Sequence, residues 1–268
     1  MSTTHILDIP GGRLSYHVRG SGPVLLLVGA PMNAAFFAPL AEELAGEYTV
    51  VTHDPRGVSG STLDDPGQDS TPALRAEDAL ALIDALGAES ADVVGSSGGA
   101  VTGLALVARH PTRVRTLVAH EPPLLELLPD VAERRAEVDD IIETFRREGP
   151  GAAFGKFMAT AGYEPGEDDS PPPPSESPEQ DLADATHFFL HELRGTTRHV
   201  PDVAALKAGP ARVVVGIGAE SSGLLTARTS KALADLLGAP TVEFPGEHGG
   251  FVDHPKEFAD VLREVLAR

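Results

Sequence analysis

Two adjacent serines lie among glycines in the stretch Gly95-Ser96-Ser97-Gly98-Gly99, directly after a short apolar run. The stretch fits the pattern Gly-x-Ser-x-Gly, with Ser97 at its centre. Such a turn holds a serine in a strained conformation between a buried strand and a helix, so the residues two positions before and after it must be small. Gly95 and Gly99 meet that requirement. Ser97 is therefore the candidate nucleophile, and Ser96 is predicted to point into the sheet.

The helix that follows this turn adds an electrostatic feature. A helix N-terminus directs backbone N–H groups at the turn, so the amide of Gly98 is placed to stabilise a developing oxyanion. A glycine-rich phosphate-binding loop is the alternative interpretation. That loop requires Gly-x-Gly-x-x-Gly after the first strand of a βαβ unit, with an acidic residue about 20 positions later. Here the turn follows a late strand and the glycine spacing differs, which favours the nucleophile.

A serine hydroxyl needs a base, because serine is a weak nucleophile at its own pKa. The base must come within about 2.6–3.2 Å of the hydroxyl and must later return the proton to the leaving group. Of the ten histidines, His248 lies in the sequence PGEHGGF, between the last predicted strand and the last predicted helix. The adjacent glycines allow that loop to approach Ser97. His254 is a nearby alternative, but we predict that His248 is the base.

Alternating strands and helices are predicted to position these residues. The continuous apolar run Pro23–Ala30 is typical of a central strand buried on both faces, and the turn Pro10-Gly11-Gly12 before it indicates a hairpin. Further strands are predicted at 48–54, 91–95, 114–120, 211–218 and 241–246, and helices at 33–45, 71–86, 98–110, 230–237 and 255–267. This alternation predicts an α/β fold with a mostly parallel sheet and helices on both faces.

The region 122–208 interrupts the alternation, because it contains helical patterns without strands between them. Its acidic, proline-rich stretch 164–180 is predicted to be a mobile, solvated loop, since loops of that length are either functional or disordered. The predicted organisation is thus a core in two parts, 1–121 and 209–268, with a helical cap at 122–208.

The order of these features resembles the α/β-hydrolase superfamily across nearly the whole chain. The GSSGG turn is the most specific match, and the segments VGAPMN, DPRGVSGS, GAES and FPGEHGG support it by order and spacing. The resemblance implies an eight-stranded sheet, a cap insertion and a Ser-His-acid triad without a cofactor. It also implies a second oxyanion donor, the backbone amide of Ala30, because Val28-Gly29-Ala30 stands where the superfamily usually has His-Gly-x.

The triad acid has two candidates under this resemblance. The superfamily most often places it in a Gly-x-x-Asp turn after the next-to-last strand, where this chain has Ser221 in the acidic slot and Glu220 one position earlier. Another position used in the superfamily is the end of the strand after the nucleophile helix, where Glu121 lies in the sequence HEPP. The segment 96–123 also resembles zearalenone-type lactonases, whose His-Glu-x-Pro segment carries the acid. We therefore prefer Glu121 and keep Glu220 as the alternative.

The composition excludes several classes of partner. With 21 Lys and Arg against 40 Asp and Glu, the net charge of −19 would repel nucleic-acid phosphates and anionic lipid head groups. The absence of cysteine excludes disulfides, thiolate metal sites and a cysteine nucleophile. There is neither a signal-peptide pattern nor an apolar run near the roughly 20 residues of a membrane span. We expect a cytoplasmic protein without nucleic-acid or membrane partners, and a homodimer is compatible with the sequence.

His187 and His191 lie four residues apart on a predicted helix, a spacing that two zinc ligands can have. The order His-Glu-x-x-His is absent, and spacing indicates no third ligand. The sequence therefore predicts neither a metal nor another cofactor.

Hydrolysis of a carboxylic ester or lactone is the predicted reaction, with Ser97 attacking the carbonyl. The apolar cap residues favour a hydrophobic small-molecule substrate. The expected pocket residues are Met32, Phe36, Phe157 and Phe188, and packing is the alternative role for the three phenylalanines. Three other functions stay open: a cofactor-free haloperoxidase or perhydrolase, a thioesterase or cyclase of the same fold, and a non-catalytic binding protein that kept the fold.

Overall fold

The computed structural model describes residues 2–163 and 177–267. Within them a single nine-stranded sheet runs through the molecule. Its strands are β1 (Thr3–Ile9), β2 (Gly12–Arg19), β3 (Val24–Val28), β4 (Thr49–His53), β5 (Thr62–Leu63), β6 (Ala91–Ser96), β7 (Val114–His120), β8 (Arg212–Gly218) and β9 (Thr241–Phe244). The spatial order is β1-β2-β4-β3-β6-β7-β8-β9, and β5 pairs with β2. Neighbouring strands in the series β4-β3-β6-β7-β8-β9 are parallel, whereas every pair that includes β1, β2 or β5 is antiparallel.

The central strand β3 shows why its sequence is apolar throughout. Successive side chains of a strand point to opposite faces of the sheet. Leu26 and Val28 therefore join the hydrophobic cluster on one face, and Leu25 and Leu27 join the cluster on the other. All four are almost completely buried. Both faces of the sheet are thus covered, as the continuous apolar run predicts.

Helices cover the two faces. The helices are α1 (Ala38–Leu44), α2 (Pro72–Ala85), α3 (Gly98–Arg109), α4 (Val131–Glu148), α5 (Pro150–Ala161), α6 (Pro178–His187), α7 (Leu193–Thr197), α8 (Val203–Ala208), α9 (Leu225–Leu237), α10 (Gly250–Asp253) and α11 (Pro255–Leu266). Buried residues of α2, α3, α8 and α9 pack on the face that carries Leu26. Those of α1, α10 and α11 pack on the face that carries Leu25. None of the helices in the described ranges is long and apolar enough to cross a membrane.

Helices α4 to α7, which we call the insertion helices, lie between β7 and β8 and have a hydrophobic cluster of their own. A π-helical turn, Phe188–Glu192, joins α6 to α7. The cluster's buried members are Leu125, Leu128, Val138, Ile141, Ile142, Ala153, Ala185, Phe188, Phe189 and Leu193. Hydrogen bonds connect the insertion helices to the core of the protein. Arg75 of α2 donates to Thr196 of α7 at 2.8 Å, and the amide of Ser59 donates to Asp184 of α6 at 2.8 Å.

The structure differs from the sequence-based elements at several boundaries. The ninth strand is β5, which has only two residues and pairs at the end of the hairpin. Helix α1 begins at Ala38 rather than Asn33. The side chain of Asn33 accepts from the amide of Ala35, and the chain forms three overlapping turns before the helix starts. Helix α9 begins at Leu225 rather than Ser230. Most of the predicted loop 164–180 lies outside the described residues, and Pro178 already begins α6.

Candidate active site

The turn between β6 and α3 holds Ser97 in a conformation that residues with a side chain rarely adopt. Its backbone angles are φ 56° and ψ −125°, and such a strained residue marks many functional sites. The glycines on either side are required by close packing. A Cβ atom at Gly95 would overlap with the backbone of Gly99, and one at Gly99 would overlap with the carbonyl oxygen of Val28. Ser97 is partly exposed, whereas Ser96 and Gly98 beside it are buried.

Backbone contacts fix the nucleophile turn against the neighbouring strand. The ladder between β6 and β7 pairs Ser96 with His120. One residue further on, the amide of Ser97 donates to the carbonyl oxygen of His120 at 2.9 Å. Glu121 directly follows His120, so Ser97 and Glu121 leave two adjacent parallel strands at the same edge of the sheet. This edge is where open α/β sheets bind their ligands.

Glu121 and His248 are joined by a short hydrogen bond. His248 Nδ1 lies 2.6 Å from Glu121 Oε2, although 127 residues separate them in the sequence. The carboxylate is fully buried and the imidazole is 19% exposed. Glu121, like Ser97, has a positive φ angle (50°). With Nδ1 bound to the carboxylate, the other ring nitrogen of His248 is available to take a proton.

The carboxylate of Glu121 receives two further donors. The amide of Gly218 donates to Oε1 at 2.9 Å, and the hydroxyl of Thr226, in the first turn of α9, donates to Oε2 at 2.8 Å. Burial acts to raise the pKa of Glu121. The hydrogen bond with His248 and, at the low pH where this carboxylate titrates, the charges of His248 and His120 outweigh burial and lower the pKa to about 2. Glu121 is thus ionised at neutral pH and able to stabilise an imidazolium.

Glu220 has a different environment. It lies in the turn after β8 with its side chain exposed, and its amide donates to the carbonyl oxygen of Gly246 at 3.0 Å. The structure therefore brings His248 to Glu121 and leaves Glu220 at the surface. Ser221, in the usual acidic slot, is fully buried.

Two backbone amides lie beside the nucleophile turn. Gly98 is the first residue of α3, so its N–H group has no acceptor within the helix. A Cβ atom at Gly98 would lie 2.5 Å from the carbonyl oxygen of Ala30 and 3.1 Å from its Cβ, which shows that these two residues are in contact. The arrangement leaves no room for a larger residue at position 98. It brings together the two predicted oxyanion donors.

The predicted pocket residues separate into two groups. Phe157 and Phe188 pack edge to face, with ring centroids 5.4 Å apart, at the hydrophobic cluster of the insertion helices. Met32 is partly buried against the cluster that includes Phe37 and Phe251. Phe36, in contrast, is 49% exposed. The structure thus assigns a packing contact to Phe157, Phe188 and Met32, and none of the described ring contacts involves Phe36.

The histidines considered for zinc lie at the junction of α6 and α7, His187 as the last residue of α6 and His191 in the π-helical turn. His191 Nδ1 lies 3.1 Å from the carboxylate of Asp69, and the buried ring of His187 covers Gly57. Among the residues that the structure describes, no group of three or more His, Asp and Glu side chains is arranged to hold a metal ion.

Sequence reasoning did not find several residues around Ser97, Glu121 and His248. Thr226 binds Glu121 from α9, whose polar first residues did not indicate where the helix begins. His120 packs against the ring of His248. Tyr163 is half-buried after α5, where burial and the carboxylates of Glu121 and Glu247 raise its pKa to about 12. The only sequence signal for these residues is HEPP (120–123). It indicates where β7 ends, but it does not indicate which side chains contact that end.

Comparison with known proteins gives one consistent result. A sequence profile of the α/β hydrolase fold matches residues 22–255. The uncharacterized hydrolase YraK of Bacillus subtilis (strain 168) is 35% identical over 277 aligned positions, which cover 98% of this chain and 95% of YraK. A hydrolase from Pseudomonas aeruginosa PA01 superposes with a TM-score of 0.77 at 23% identity, with 99% of each chain covered. The enol-lactonase from Burkholderia xenovorans LB400 gives 0.74 at 19% identity, over 98% of this chain and 100% of the enol-lactonase.

Proposed function

Because the chain belongs to the α/β hydrolase fold family, we propose that Ser97, His248 and Glu121 form a catalytic triad that hydrolyses a carboxylic ester or lactone. The family resemblance inferred from the sequence is confirmed, and the chain is a hydrolase of this fold. The observation that carries the proposal is the 2.6 Å contact between His248 and Glu121, next to the strained serine turn.

The first step is attack of Ser97 on the substrate carbonyl. His248 Nε2 takes the hydroxyl proton as the Ser97 Oγ–carbonyl bond forms. Glu121 keeps the Nδ1 proton on the ring and stabilises the imidazolium without taking that proton. Its own low pKa supports this role, because a carboxylate with a pKa of about 2 stays ionised beside the charged ring.

The oxyanion formed in this step would be held by the backbone amides of Ala30 and Gly98. Each such donor contributes roughly 3–4 kcal/mol to stabilising the transition state. The contact between Gly98 and Ala30 supports a shared anion site, since two converging N–H groups need their backbones to lie close together. His248 then returns the proton to the leaving oxygen, and the alcohol departs from an acyl-enzyme.

Water completes the reaction by the same route in reverse. His248 removes a proton from the attacking water, the acyl–Ser97 bond breaks, and Oγ recovers its proton. For a lactone, the leaving oxygen stays attached to the acyl chain, so one ring-opened hydroxy acid is the only product. No metal or cofactor is required for any of these steps.

The proposed substrate is a small hydrophobic ester or lactone. The insertion helices form the proposed cap (122–208), and their apolar cluster includes Phe188 and packs against Phe157. The fold likeness to an enol-lactonase is compatible with a lactone ring. The proposal further places the enzyme in the cytoplasm. It assigns neither a nucleic-acid nor a membrane partner, in agreement with the net charge of −19.

Fluorophosphonate labelling tests the nucleophile. The reagent is expected to label Ser97 in the intact protein and in Ser96→Ala, and to leave Ser97→Ala unlabelled, as read by peptide mapping. Ser96 is the matched control, because it is the adjacent serine but is buried in the sheet.

Turnover is then measured with p-nitrophenyl esters of increasing acyl length and with macrolactones. Labelling without hydrolysis of any ester or lactone would shift the function to acyl transfer or peroxide chemistry on the same triad. Absence of labelling would support a non-catalytic binding protein.

A further inference from the structure

We propose that His120 is a positioning residue for the base, because its ring supports the face of the His248 imidazole and is itself held by Ser96. This inference rests on the proposed function, which makes His248 the base. His120 would not touch the substrate. It would act by restricting the plane of the His248 ring.

The two imidazole rings are stacked. Their centroids lie 6.2 Å apart and their planes differ by 23°. His120 is completely buried, and its position is fixed from other sides as well. Its ring meets the edges of Phe244 and Phe258, at centroid distances of 5.6 Å and 5.3 Å, and its Nδ1 lies 3.2 Å from the hydroxyl of Ser96.

His248 needs such a support because its only hydrogen bond within the described residues is the one to Glu121. A single hydrogen bond at Nδ1 fixes one atom of the ring, and coupled changes of the torsions χ1 and χ2 can still tilt the ring about that contact. Rotation would move Nε2 away from the hydroxyl it must reach within about 2.6–3.2 Å. A flat, immobile neighbour on one face removes much of that freedom.

His120 is also connected to the other two triad residues. Its carbonyl oxygen accepts the hydrogen bond from the Ser97 amide at 2.9 Å, and Glu121 is the next residue in the chain. One residue therefore contacts the backbone of the nucleophile, supports the base and precedes the acid. A change in the position of His120 would alter all three relations together.

The ring of His120 is neutral at physiological pH. Burial lowers its pKa to about 4; the carboxylate of Glu121 opposes this shift, and the charge of His248 adds to it. The groups that face it from β6, β8, β9 and α11 are Ser96, Gly216, Phe244 and Phe258, none of which is charged. A neutral support does not oppose the positive charge that His248 gains during catalysis.

Substitutions at position 120 separate ring support from simple packing. His120→Leu keeps an apolar volume but removes the flat face, whereas His120→Phe keeps the face. With a p-nitrophenyl ester, His120→Leu is expected to lower kcat by about 30- to 100-fold with KM changed less than about threefold, since small misplacements of a catalytic group cost up to about 100-fold. His120→Phe is expected to stay within about fivefold of the unmodified enzyme.

His53→Leu is the matched control. His53 is another buried imidazole at the end of a strand, also with a pKa lowered to about 4 by burial, but it makes none of the described ring contacts to His248. Its substitution should leave kcat unchanged. A proton NMR spectrum gives a readout beyond activity: the far-downfield signal of the His248 Nδ1 proton should stay sharp in His120→Phe and broaden in His120→Leu.

Two results would overturn the inference: a normal kcat in folded His120→Leu, or equal losses in the Leu and Phe variants. If neither variant folds, Ser96→Ala replaces them, and an unchanged kcat and a sharp downfield signal in that variant would also overturn it. Failure of the proposed function looks different. In that case Ser97→Ala and His248→Ala would keep full ester turnover, whatever the result at position 120.

Discussion

Glu121 accepts three hydrogen bonds on its carboxylate, from Gly218, Thr226 and His248, and is completely buried. A carboxylate with this many donors is held in one orientation, so the ring nitrogen bound to it is also fixed. The exposed carboxylate of Glu220 has no comparable set of contacts among the described residues. The two acids that the sequence left open are thus physically very different.

Neutralising each acid tests this difference. Glu121→Gln is expected to lower kcat/KM for a p-nitrophenyl ester by about 10^3- to 10^4-fold, because the amide cannot stabilise the imidazolium and allows the wrong tautomer. Glu220→Gln, the matched control, should stay within about twofold. A large loss of kcat/KM in Glu220→Gln together with a small loss in Glu121→Gln would identify Glu220 as the triad acid.

At the scale of elements, the close packing of α3 on the end of β3 determines where Ser97, the proposed nucleophile, lies. Gly99 packs directly on the carbonyl oxygen of Val28, at the end of β3. Any side chain at this position must push helix and strand apart, and α3 cannot shift because ten of its residues are buried. The glycine therefore sets the distance between two elements as well as the shape of a turn.

Gly99→Ala is expected to lower the free energy of unfolding by about 3 kcal/mol or more, in line with other overpacked sites. Gly155→Ala is the control, because Gly155 lies inside α5 with no atom within 4 Å of an added Cβ. It should stabilise the protein by roughly 0.5–1 kcal/mol, since alanine favours the helix interior. Urea denaturation of both variants measures the difference, and equal stabilities would contradict the packing argument.

The sequence predicted elements best where burial alone decides them. β3 is a continuous apolar run, and β6 and β7 are buried along almost their whole length. The family and the α/β-hydrolase fold are confirmed, with nine strands in place of eight. The start of α9 was missed because its polar residues face the protein: Thr226 binds Glu121, and Thr229 donates to the carbonyl oxygen of Pro122. Contacts of this kind join distant segments, and no local pattern in one sequence encodes them.

At the scale of the whole molecule, stability should depend on pH through Glu121. Its pKa is about 2 in the folded protein against an ordinary value of 4.5. Because the folded-state pKa is the lower one, the unfolded chain binds this proton first as the pH falls. The stabilisation from Glu121 is therefore complete above about pH 5 and is lost as the pH falls through the interval from 4.5 to 2.

Comparing the protein with Glu121→Gln isolates this contribution from the other acidic groups. The unmodified protein should be more stable than Glu121→Gln by a constant free energy of unfolding from pH 7 to pH 5. Below pH 5 this advantage should decrease. Chemical denaturation at each pH measures it. A difference that stays constant down to pH 3 would mean that Glu121 has an ordinary pKa in the folded protein.

The turn Ser221–Gly223 after β8 supports the insertion helices, since Gly162 at the end of α5 packs against the carbonyl oxygen of Gly223. Because Ser97 and Glu121 directly follow β6 and β7, the β6–β7 ladder sets the backbone spacing between these two residues. Sequence changes within that turn therefore leave this spacing intact, provided that Gly218 and Thr226 on either side of it keep their hydrogen bonds to Glu121.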